Sequence, residues 1–212
     1  MSECWLLFGA GRGTGAQLLA LAQAQRQPVV LVLRDAQQAQ QWRGRPDVAV
    51  IQGDACDPDC VQLACRTAGP QAIAVSTLGG GDADYRAHRL IIDSAQQNGM
   101  RRMLLVTSIG CGDSWPMLSP RARAAFGHAV REKSLAESWL QTSELDYCIV
   151  RPGGLTNGPA SGNVLLSRRN DLHGLVSRAD VALTLAQLLR QTAFGHQIYS
   201  LIDPALKLPA RG

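Results

Sequence analysis

The sequence predicts an α/β fold in one domain, a doubly wound parallel sheet with a small C-terminal elaboration on the substrate side. Short apolar runs rich in Val, Ile and Leu recur without polar alternation, as in strands that are buried on both faces of a sheet. Stretches with helical spacing separate these runs, and such regular alternation implies right-handed crossovers between parallel strands. A chain of 212 residues is also long enough to bury one sizeable core.

The predicted elements follow one another in strict order along the chain. The strands are Cys4–Phe8, Val29–Leu33, Val48–Ile51, Ala72–Ser76, Met103–Thr107 and Tyr147–Val150, with a last strand at Gln197–Leu201. The helices are Thr14–Gln25, Ala36–Trp42, Pro58–Ala68, Asp84–Asn98, Pro120–Gln141 and Arg178–Gln191. Residues 203–212 contain two prolines and no periodicity, so we expect a loose tail.

The position of a ligand follows from this architecture. In doubly wound sheets the crevice lies outside the carboxyl ends of the strands, near the point where the strand order reverses. The loops that follow the predicted strands are 9–15, 34–36, 53–57, 77–84, 108–118 and 151–163. We therefore expect the functional residues in these loops.

Composition argues against several classes of protein. The formal net charge is +4, but Lys and Arg are scattered, which is typical of a solvated surface and not of a nucleic-acid interface. No run approaches the roughly 18 apolar residues of a membrane helix, and the N-terminus lacks a secretion signal, so we expect a cytoplasmic protein. The six cysteines have neither C-x-x-C spacing nor histidines at metal-ligand spacing, so we expect reduced thiols and no metal. A monomer and a homodimer are both compatible with the sequence.

The stretch FGAGRGTG follows the first predicted strand and opens a helix. Backbone N–H groups and the positive end of a helix dipole meet there, which suits a pyrophosphate. In the frame G-x-x-x-G-x-G, Gly9 permits the tight turn, Gly13 the approach of a phosphate and Gly15 the packing of the helix on the sheet. Gly11 is the least constrained glycine, and Thr14 completes the cradle. The sequence therefore predicts a dinucleotide site.

The residues after the second strand favour NADP(H), with NAD(H) less favoured. A carboxylate at that place would bind a free ribose 2′-hydroxyl, whereas Arg would bind a 2′-phosphate. Arg34 comes directly after the strand, and Arg12 in the glycine loop can approach the same phosphate from the other side. Asp35 leaves the alternative open, either as a ribose ligand or as a surface acid at a helix start.

An acidic residue also follows the third strand, in the stretch GDACD. Asp54 lies where the edge of an adenine ring would be, with Ala55 beside it. The alternative interpretation of Asp54 is an N-cap-like turn residue before the helix at Pro58. Both interpretations are compatible with the sequence.

Several segments together resemble one family over nearly the whole chain, from residue 4 to about 201. They occur in the order and spacing of the atypical short-chain dehydrogenases/reductases, specifically the NmrA-like and biliverdin reductase B/flavin reductase-like group. The segments are FGAGRGTG, LVLRD, QGDACD, DYRAHRLIIDSAQQNGMRRMLLVTS, RPGGLTNGP and VSRADVA. The resemblance implies a Rossmann fold and NAD(P) binding, and it leaves the substrate open.

The resemblance also implies a set of cofactor contacts. The glycine loop would hold the pyrophosphate, Arg34 the 2′-phosphate, and Asp54 would lie against adenine. The loop after the fourth strand would pass along the adenine ribose and the phosphates; it consists of Thr77, Leu78, Gly79 and Gly80. The turn after the sixth strand would border the nicotinamide; it consists of Pro152, Gly153, Gly154 and Leu155.

The catalytic centre departs from the pattern of the short-chain dehydrogenases. These enzymes generally use a Ser after the fifth strand and a Tyr-x-x-x-Lys pair on the next helix, in which Tyr donates the proton and Lys binds the nicotinamide ribose. Ser108 matches the Ser and Lys133 the Lys, but Ala129 stands where the Tyr is expected. Since alanine cannot be a general acid, carbonyl reduction of the Tyr type is doubtful.

Two arrangements can replace the missing Tyr. Hydride transfer to an electron-accepting ring such as a flavin or a quinone can take its proton from solvent, so that positioning dominates. Otherwise His128, next to the vacant position, or Tyr85, at the start of the preceding helix, is a candidate proton donor. The plainer interpretation of His128 is a surface residue.

The substrate side is expected to be built from residues 109–118 and 156–175. Trp115 and Met117 lie in a stretch of loop composition and could form an apolar lid over a planar ligand, or Trp115 could simply cover a gap in the surface. Arg178 and Asp180, near the start of the last helix, are expected to fix that helix and its neighbours by ion pairing and not to take part in the chemistry.

The sequence thus supports two functional hypotheses of different classes. The first is an NADPH-dependent reductase of a small, planar, conjugated acceptor, with Ser108 positioning the acceptor and Lys133 the cofactor. The second is a cofactor-sensing regulator of the NmrA-like kind, which binds the dinucleotide without turnover and can tolerate the loss of the Tyr. Sugar-nucleotide epimerase chemistry is disfavoured because the C-terminal region is short and the Tyr is absent.

Overall fold

The computed structural model describes residues 3–79 and 84–206. The strands of this part of the chain are β1 (Trp5–Phe8), β2 (Val29–Leu33), β3 (Val48–Gln52), β4 (Ile73–Ser76), β5 (Arg102–Val106), β6 (Asp146–Pro152), β7 (Gly154–Thr156), β8 (Leu165–Ser167), β9 (Leu175–Ser177) and β10 (Gln197–Ile202). The helices are α1 (Gly13–Ala24), α2 (Ala36–Trp42), α3 (Pro58–Ala68), α4 (Asp84–Gln97), α5 (Pro120–Gln141) and α6 (Arg178–Leu188), with a 3-10 helix at Gly112–Met117.

Eight strands form one sheet in the order β3-β2-β1-β4-β5-β6-β10-β8. All neighbours are parallel except β8, which runs antiparallel to β10. A separate two-stranded parallel sheet pairs β7 with β9. The fold prediction is confirmed, since this is a doubly wound, Rossmann-type sheet with helices on both faces.

The central strands bury side chains on both faces, which explains why their sequences are apolar without alternation. Leu7 and Leu31 face a core that includes residues of α1, α2 and α6. Leu6 and Val30, their neighbours in sequence, face a second core that includes residues of α3, α4 and α5. The sheet therefore holds the six helices in two layers.

The strand order reverses beside β1. The chain proceeds from β1 to β2 and β3 on one side and then returns to place β4 on the other side of β1. The carboxyl ends of β1 and β4 therefore diverge at the switch point, where a ligand crevice is expected. This confirms where the glycine loop after β1 was expected to lie.

The structure corrects the predictions made for the C-terminal third of the chain. The short strands β7 and β8 were not predicted, and β6 runs through Pro152, so that Pro152 lies in a strand and not in a turn. The expected loose tail is wrong at its start: Asp203 is buried, and its backbone N–H donates to Leu175. Residues 207–212 lie outside the described part of the chain.

Across the described ranges 3–79 and 84–206, the helices are too short or too polar to span a membrane.

Candidate functional site

A cavity of about 410 Å³ opens at the switch point, outside the carboxyl ends of β1 to β4. Its walls are the loops that follow these strands, together with the first turns of α2 and α4. The lining residues that the sequence predicted are Gly9, Gly11, Arg12, Arg34, Asp54, Ala55, Thr77, Leu78 and Gly79. Gln38, Cys56, Asp84 and Ala87 also line it and were not predicted. Gly80, the last residue predicted for the loop after β4, lies outside the described residues.

The glycine loop packs so closely that side chains would overlap the backbone. Gly9 has a φ of +86°, and a Cβ there would lie 2.8 Å from the backbone N of Leu78. A Cβ on Gly15 would overlap the carbonyl oxygen of Gly9 and the hydroxyl of Thr77. That hydroxyl donates to the carbonyls of Phe8 and Gly9, which fixes the loop between β1 and β4.

The N-terminus of α1 is arranged to receive an anion. Its N-cap residue is Arg12, whose side chain makes no capping hydrogen bond, and no acidic residue lies in its first turn. In contrast, α2, α3, α5 and α6 are capped by the side chains of Asp35, Asp57, Ser119 and Ser177. The first N–H groups of α1, with the helix dipole behind them, suit a phosphate. The loop therefore fits the diphosphate of a dinucleotide.

The residues expected at the adenosine end of the cofactor differ in the contacts that they make. Asp35 accepts the backbone N–H of Gln38 at 2.8 Å and caps α2, which is the surface role that the sequence left open. Arg34 keeps 84% of its side chain exposed beside the cavity, with Asp54 at 3.8 Å. Asp54 accepts the backbone N–H of Cys56 at 2.8 Å, so it closes a turn. Asp54 is therefore a turn residue before α3, as its alternative interpretation predicted, while the N-cap itself is Asp57.

The side chain of Lys133 ends in a buried cluster with Asp84 and Leu78, two residues that line the cavity. Its Nζ lies 2.6 Å from Oδ2 of Asp84 and donates to the carbonyl of Leu78 at 3.1 Å. The other Asp84 oxygen lies 2.8 Å from Nδ1 of His88, whose Nε2 lies 2.8 Å from the hydroxyl of Ser76. The side chains of Asp84 and His88 are fully buried. The cluster therefore fixes Lys133 from β4 and α4.

The charge state of this cluster follows from its contacts. Burial opposes the ionisation of Asp84, but the hydrogen bond with His88 and the ammonium of Lys133 outweigh it and hold the pKa of Asp84 below its usual value. Asp84 is therefore an anion at neutral pH, paired with Lys133. Sequence reasoning missed both Asp84 and His88; their i,i+4 spacing on α4 was the only local signal.

The remaining catalytic candidates lie around α5 and α4. Ser108 is half-buried, two residues after the end of β5, and donates to the carbonyl of Ile109 at 3.0 Å. Ala129 and the exposed His128 lie one turn before Lys133 on α5. The ring of Tyr85 packs edge-on against Trp139 at 6.2 Å, and Tyr85 is not among the residues that line the cavity. The catalytic roles of these residues stay predictions.

The substrate side is held together by a buried arginine. Arg151 donates to both oxygens of Glu137 and to Asp113 of the 3-10 helix. Asn170 donates to the other oxygen of Asp113, so both loops of this side converge on Arg151. Burial opposes the ionisation of Asp113, but its hydrogen bonds from Arg151 and Asn170 hold its pKa below the usual value. Sequence reasoning did not find this brace.

Trp115 and Met117 lie in the 3-10 helix beside α5. The ring of Trp115 rests over Gly127, and the guanidiniums of Arg123 and Arg131 lie 5.3 and 5.2 Å from its centre. At about 100° per residue, Lys133 points roughly 120° away from Gly127 around α5. Trp115 therefore packs on a different face of α5 from Lys133, and Met117 is exposed; the contact of both residues with a substrate stays a prediction.

The segment after β6 passes from the main sheet to the small one. Gly153 donates its N–H to Leu201, and Gly154 donates to Gly174. A Cβ on Gly153 would overlap the carbonyl of Gly174, so glycine is required for the crossing. Leu155 is 41% exposed on β7. The proximity of this segment to a nicotinamide stays a prediction.

The prediction that ion pairs fix α6 is wrong. Asp180 accepts hydrogen bonds from Ser161, Gly162 and Ser177, which are neutral. Arg178 donates to the side-chain oxygen of Asn157 at 2.9 Å and, within the described residues, has no carboxylate partner. The start of α6 is therefore held by hydrogen bonds from neutral donors to the Asp180 carboxylate and not by an ion pair.

The doubly wound sheet and the cavity at its switch point are features expected of a dinucleotide-binding protein. The family described as NAD(P)H-binding matches residues 9–192. The chain belongs to this family, as the resemblance to the atypical short-chain dehydrogenases/reductases predicted.

Comparisons with individual proteins extend this likeness. A solved structure of ChuY, an anaerobilin reductase from Escherichia coli O157:H7, is 55% identical, with a TM-score of 0.93 over 97% of this chain and 99% of that one. An uncharacterised chloroplastic protein of Arabidopsis thaliana is 30% identical over 120 residues, which are 54% of this chain and 43% of that protein. Sanguinarine reductase of Eschscholzia californica is 32% identical over 111 residues, 50% of this chain and 40% of that enzyme. The chain thus spans less than half the length of these two curated relatives.

Proposed function

We propose that this protein is an NADPH-dependent reductase of an extended, conjugated acceptor, of which a tetrapyrrole is the leading example. The observation that carries the proposal is the likeness to ChuY, an anaerobilin reductase, at 55% identity over nearly the whole of both chains. A tetrapyrrole belongs to the class of planar, electron-accepting ligands that the loss of the Tyr favours. Flavins and quinones belong to the same chemical class.

The preference for the phosphorylated cofactor rests on the end of β2. One carboxylate oxygen of Asp35 is engaged by the N-terminus of α2, which leaves only the other oxygen for a ribose hydroxyl. Arg34 and Arg12 both line the cavity, and charge-assisted contacts of two guanidiniums would hold a 2′-phosphate dianion. NADPH is therefore the cofactor that this wall favours, and NADH lacks the group that the two arginines would bind.

The residues of the site position the cofactor and the acceptor and do not themselves donate the proton. The cofactor, when bound, supplies a hydride. Lys133 has three donor hydrogens; Asp84 and the Leu78 carbonyl take two, and the third is available to a ribose hydroxyl. The hydroxyl of Ser108, after β5, would orient the acceptor or the carboxamide. With Ala129 at the position of the Tyr, the proton that completes the two-electron reduction comes from solvent.

A turnover assay tests this proposal. We expect the purified protein to oxidise NADPH when it is offered biliverdin, FMN or a quinone, with one NADPH consumed for each two-electron reduction of the acceptor. The loss of NADPH absorbance and the spectrum of the acceptor measure this ratio. Tight NADPH binding without turnover of any acceptor would overturn the reductase and favour the cofactor-sensing regulator.

A further inference from the structure

The small sheet ends in a pair of polar side chains. Its two strands run parallel, with Thr156 of β7 opposite Ser177 of β9. One residue further on, Asn157 and Arg178 follow the two strands, and the guanidinium of Arg178 donates to the Asn157 side chain at 2.9 Å. In parallel sheets the carboxyl ends of the strands are where ligands bind. The pair therefore lies at the ligand end of the small sheet.

Arg178 also lies against the glycine loop. A Cβ placed on Gly13 would be 3.5 Å from Nε of Arg178 and 3.6 Å from its Cδ. Gly13 is the first residue of α1 and Arg178 the first residue of α6, so the N-termini of two helices meet at this point. The cavity reaches Arg12, one residue before Gly13. Arg178 is therefore a second guanidinium beside the loop that suits a diphosphate.

Within the described residues, no ion pair neutralises the guanidinium of Arg178. Arg178 has no carboxylate within ion-pair distance among residues 3–79 and 84–206, and its hydrogen-bond partner there is a neutral amide. The acidic residue of the first turn of α6, Asp180, is occupied by Ser161, Gly162 and Ser177. The N-terminus of α1 carries no capping side chain. A bound anion would accept hydrogen bonds from both the guanidinium of Arg178 and the N-terminus of α1.

We propose that Arg178, oriented by Asn157, binds the diphosphate of the nicotinamide cofactor. The inference rests on the proposed function and adds a contact that comes from the small sheet, whereas the other phosphate contacts come from the β1–α1 loop. The diphosphate is common to NADPH and NADH, so Arg178 acts on affinity and not on the choice between them. Cofactor binding would thereby tie β7, β9 and the start of α6 to the nucleotide.

Equilibrium binding to the full chain tests the inference with three probes: NADPH, NADH and adenosine 2′-monophosphate, which has the 2′-phosphate but no diphosphate. We expect Arg178→Gln to weaken both dinucleotides about tenfold or more and to leave the monophosphate unchanged. Arg178→Lys should restore part of the loss. Asn157→Ala, which frees the guanidinium, should cause a smaller loss of the same kind.

Arg190→Gln is the matched control. Arg190 lies just after the other end of α6 and donates to the side-chain amide of Gln25, after α1, at 2.8 Å, so it joins the same two helices far from the loop. We expect it to bind all three probes like the wild type. Thermal unfolding of each variant shows that the fold is retained.

Four results would overturn the inference. Unchanged dinucleotide affinity in Arg178→Gln would show that the guanidinium does not contact the cofactor. An equal loss for the monophosphate would show a general distortion of the site. A change confined to the KM of the acceptor would show that Arg178 binds the acceptor instead. Failure of the wild type to bind any dinucleotide would overturn the proposed function itself, and this inference with it.

Discussion

Arg34 and Asp35 stand side by side after β2, and their contacts give them different tasks. Asp35 accepts the N–H of Gln38 and stabilises the start of α2. Arg34 extends into the mouth of the cavity, most of its side chain exposed, with Asp54 at 3.8 Å. An exposed ion pair at that distance contributes little to stability. Arg34 can therefore exchange Asp54 for a phosphate with little loss of free energy.

The first prediction concerns Arg34 and the choice of cofactor. We expect Arg34→Ala to weaken NADPH about tenfold or more and NADH by less than about threefold, because the 2′-phosphate is the only group that distinguishes them. Fluorescence titration with both cofactors measures this. Arg43→Ala is the control, since Arg43 is exposed at the end of α2 and bonds to Gln40 and Gln52. Equal losses for both cofactors would show that Arg34 does not contact the 2′-phosphate.

Asp84 is the residue on which the buried cluster depends. It contacts Lys133 with one oxygen and His88 with the other, and its side chain has no exposure. Removal of one partner from a buried ion pair leaves the other charge uncompensated. The free-energy cost of this uncompensated charge is larger than the net stabilisation that the intact pair provides. The contribution of Asp84 to stability should therefore be large and should depend on pH.

The second prediction is the pH profile of Asp84→Asn. The folded-state pKa of Asp84 is lowered, so its stabilisation is present above the unfolded pKa of about 4 and is lost as the pH falls through the folded value. We expect the variant to lose about 3 kcal/mol at pH 7, and the difference from the wild type to narrow below about pH 4. Urea unfolding at a series of pH values measures it.

Asp93→Asn is the control for this profile. Asp93 lies on the same helix but is partly exposed, with Arg89 at 3.7 Å and the Trp139 indole as its hydrogen-bond donor. We expect a loss below about 1 kcal/mol. A difference between Asp84→Asn and the wild type that stays constant from pH 7 to pH 3 would show that Asp84 does not act as a charge.

At the scale of elements, the segment from β1 through the glycine loop to α1 sets the architecture of the site. The G-x-x-x-G-x-G spacing predicts a different structural role for each of its glycines. Gly15 lies on α1, where alanine would ordinarily favour the helix by about 1 kcal/mol. Its neighbours, the Gly9 carbonyl and the Thr77 hydroxyl, leave no room for a methyl group. Packing therefore opposes propensity at this position.

The third prediction compares Gly15→Ala with Gly11→Ala. At Gly15 the methyl group would strike backbone, so we expect a loss of about 1–3 kcal/mol in stability and much weaker NADPH binding. At Gly11 it would meet the end of the Gln38 side chain, which can rotate away, so we expect little change in stability. Thermal unfolding and NADPH titration measure both. Equal behaviour of the two variants would contradict the assigned frame.

Other elements show where sequence patterns lose their predictive power. The main strands and helices were predicted to within a few residues because their apolar periodicity is strong. Strands β7 and β8 have three residues each, too few for a periodicity, and were missed. Asp203 was assigned to a loose tail from local composition, but its contacts with Leu175 and Ser161 bury it.

At the scale of the whole molecule, some residues of the candidate site were predicted from the sequence and others were not. Gly9, Arg12 and Arg34 were predicted because each directly follows or opens an element whose period is visible. His88 and Arg178 were not predicted as site residues, since the i,i+4 spacing of Asp84 and His88 is a weak signal and Arg178 was expected to form an ion pair. His88 is placed by the packing of α4 against β4 and α5, and Arg178 by the packing of α6 against α1.

The sequence by itself determined the alternation of strands and helices, the place of the ligand edge and the glycine loop, because these depend on local period and backbone freedom. Only the tertiary structure decided how the charges are paired. Lys133 meets Asp84 across 49 residues of sequence, and Arg151 gathers Asp113 and Glu137 from two elements. Such pairs are set by helix packing on the two faces of the sheet, which no local pattern of residues specifies.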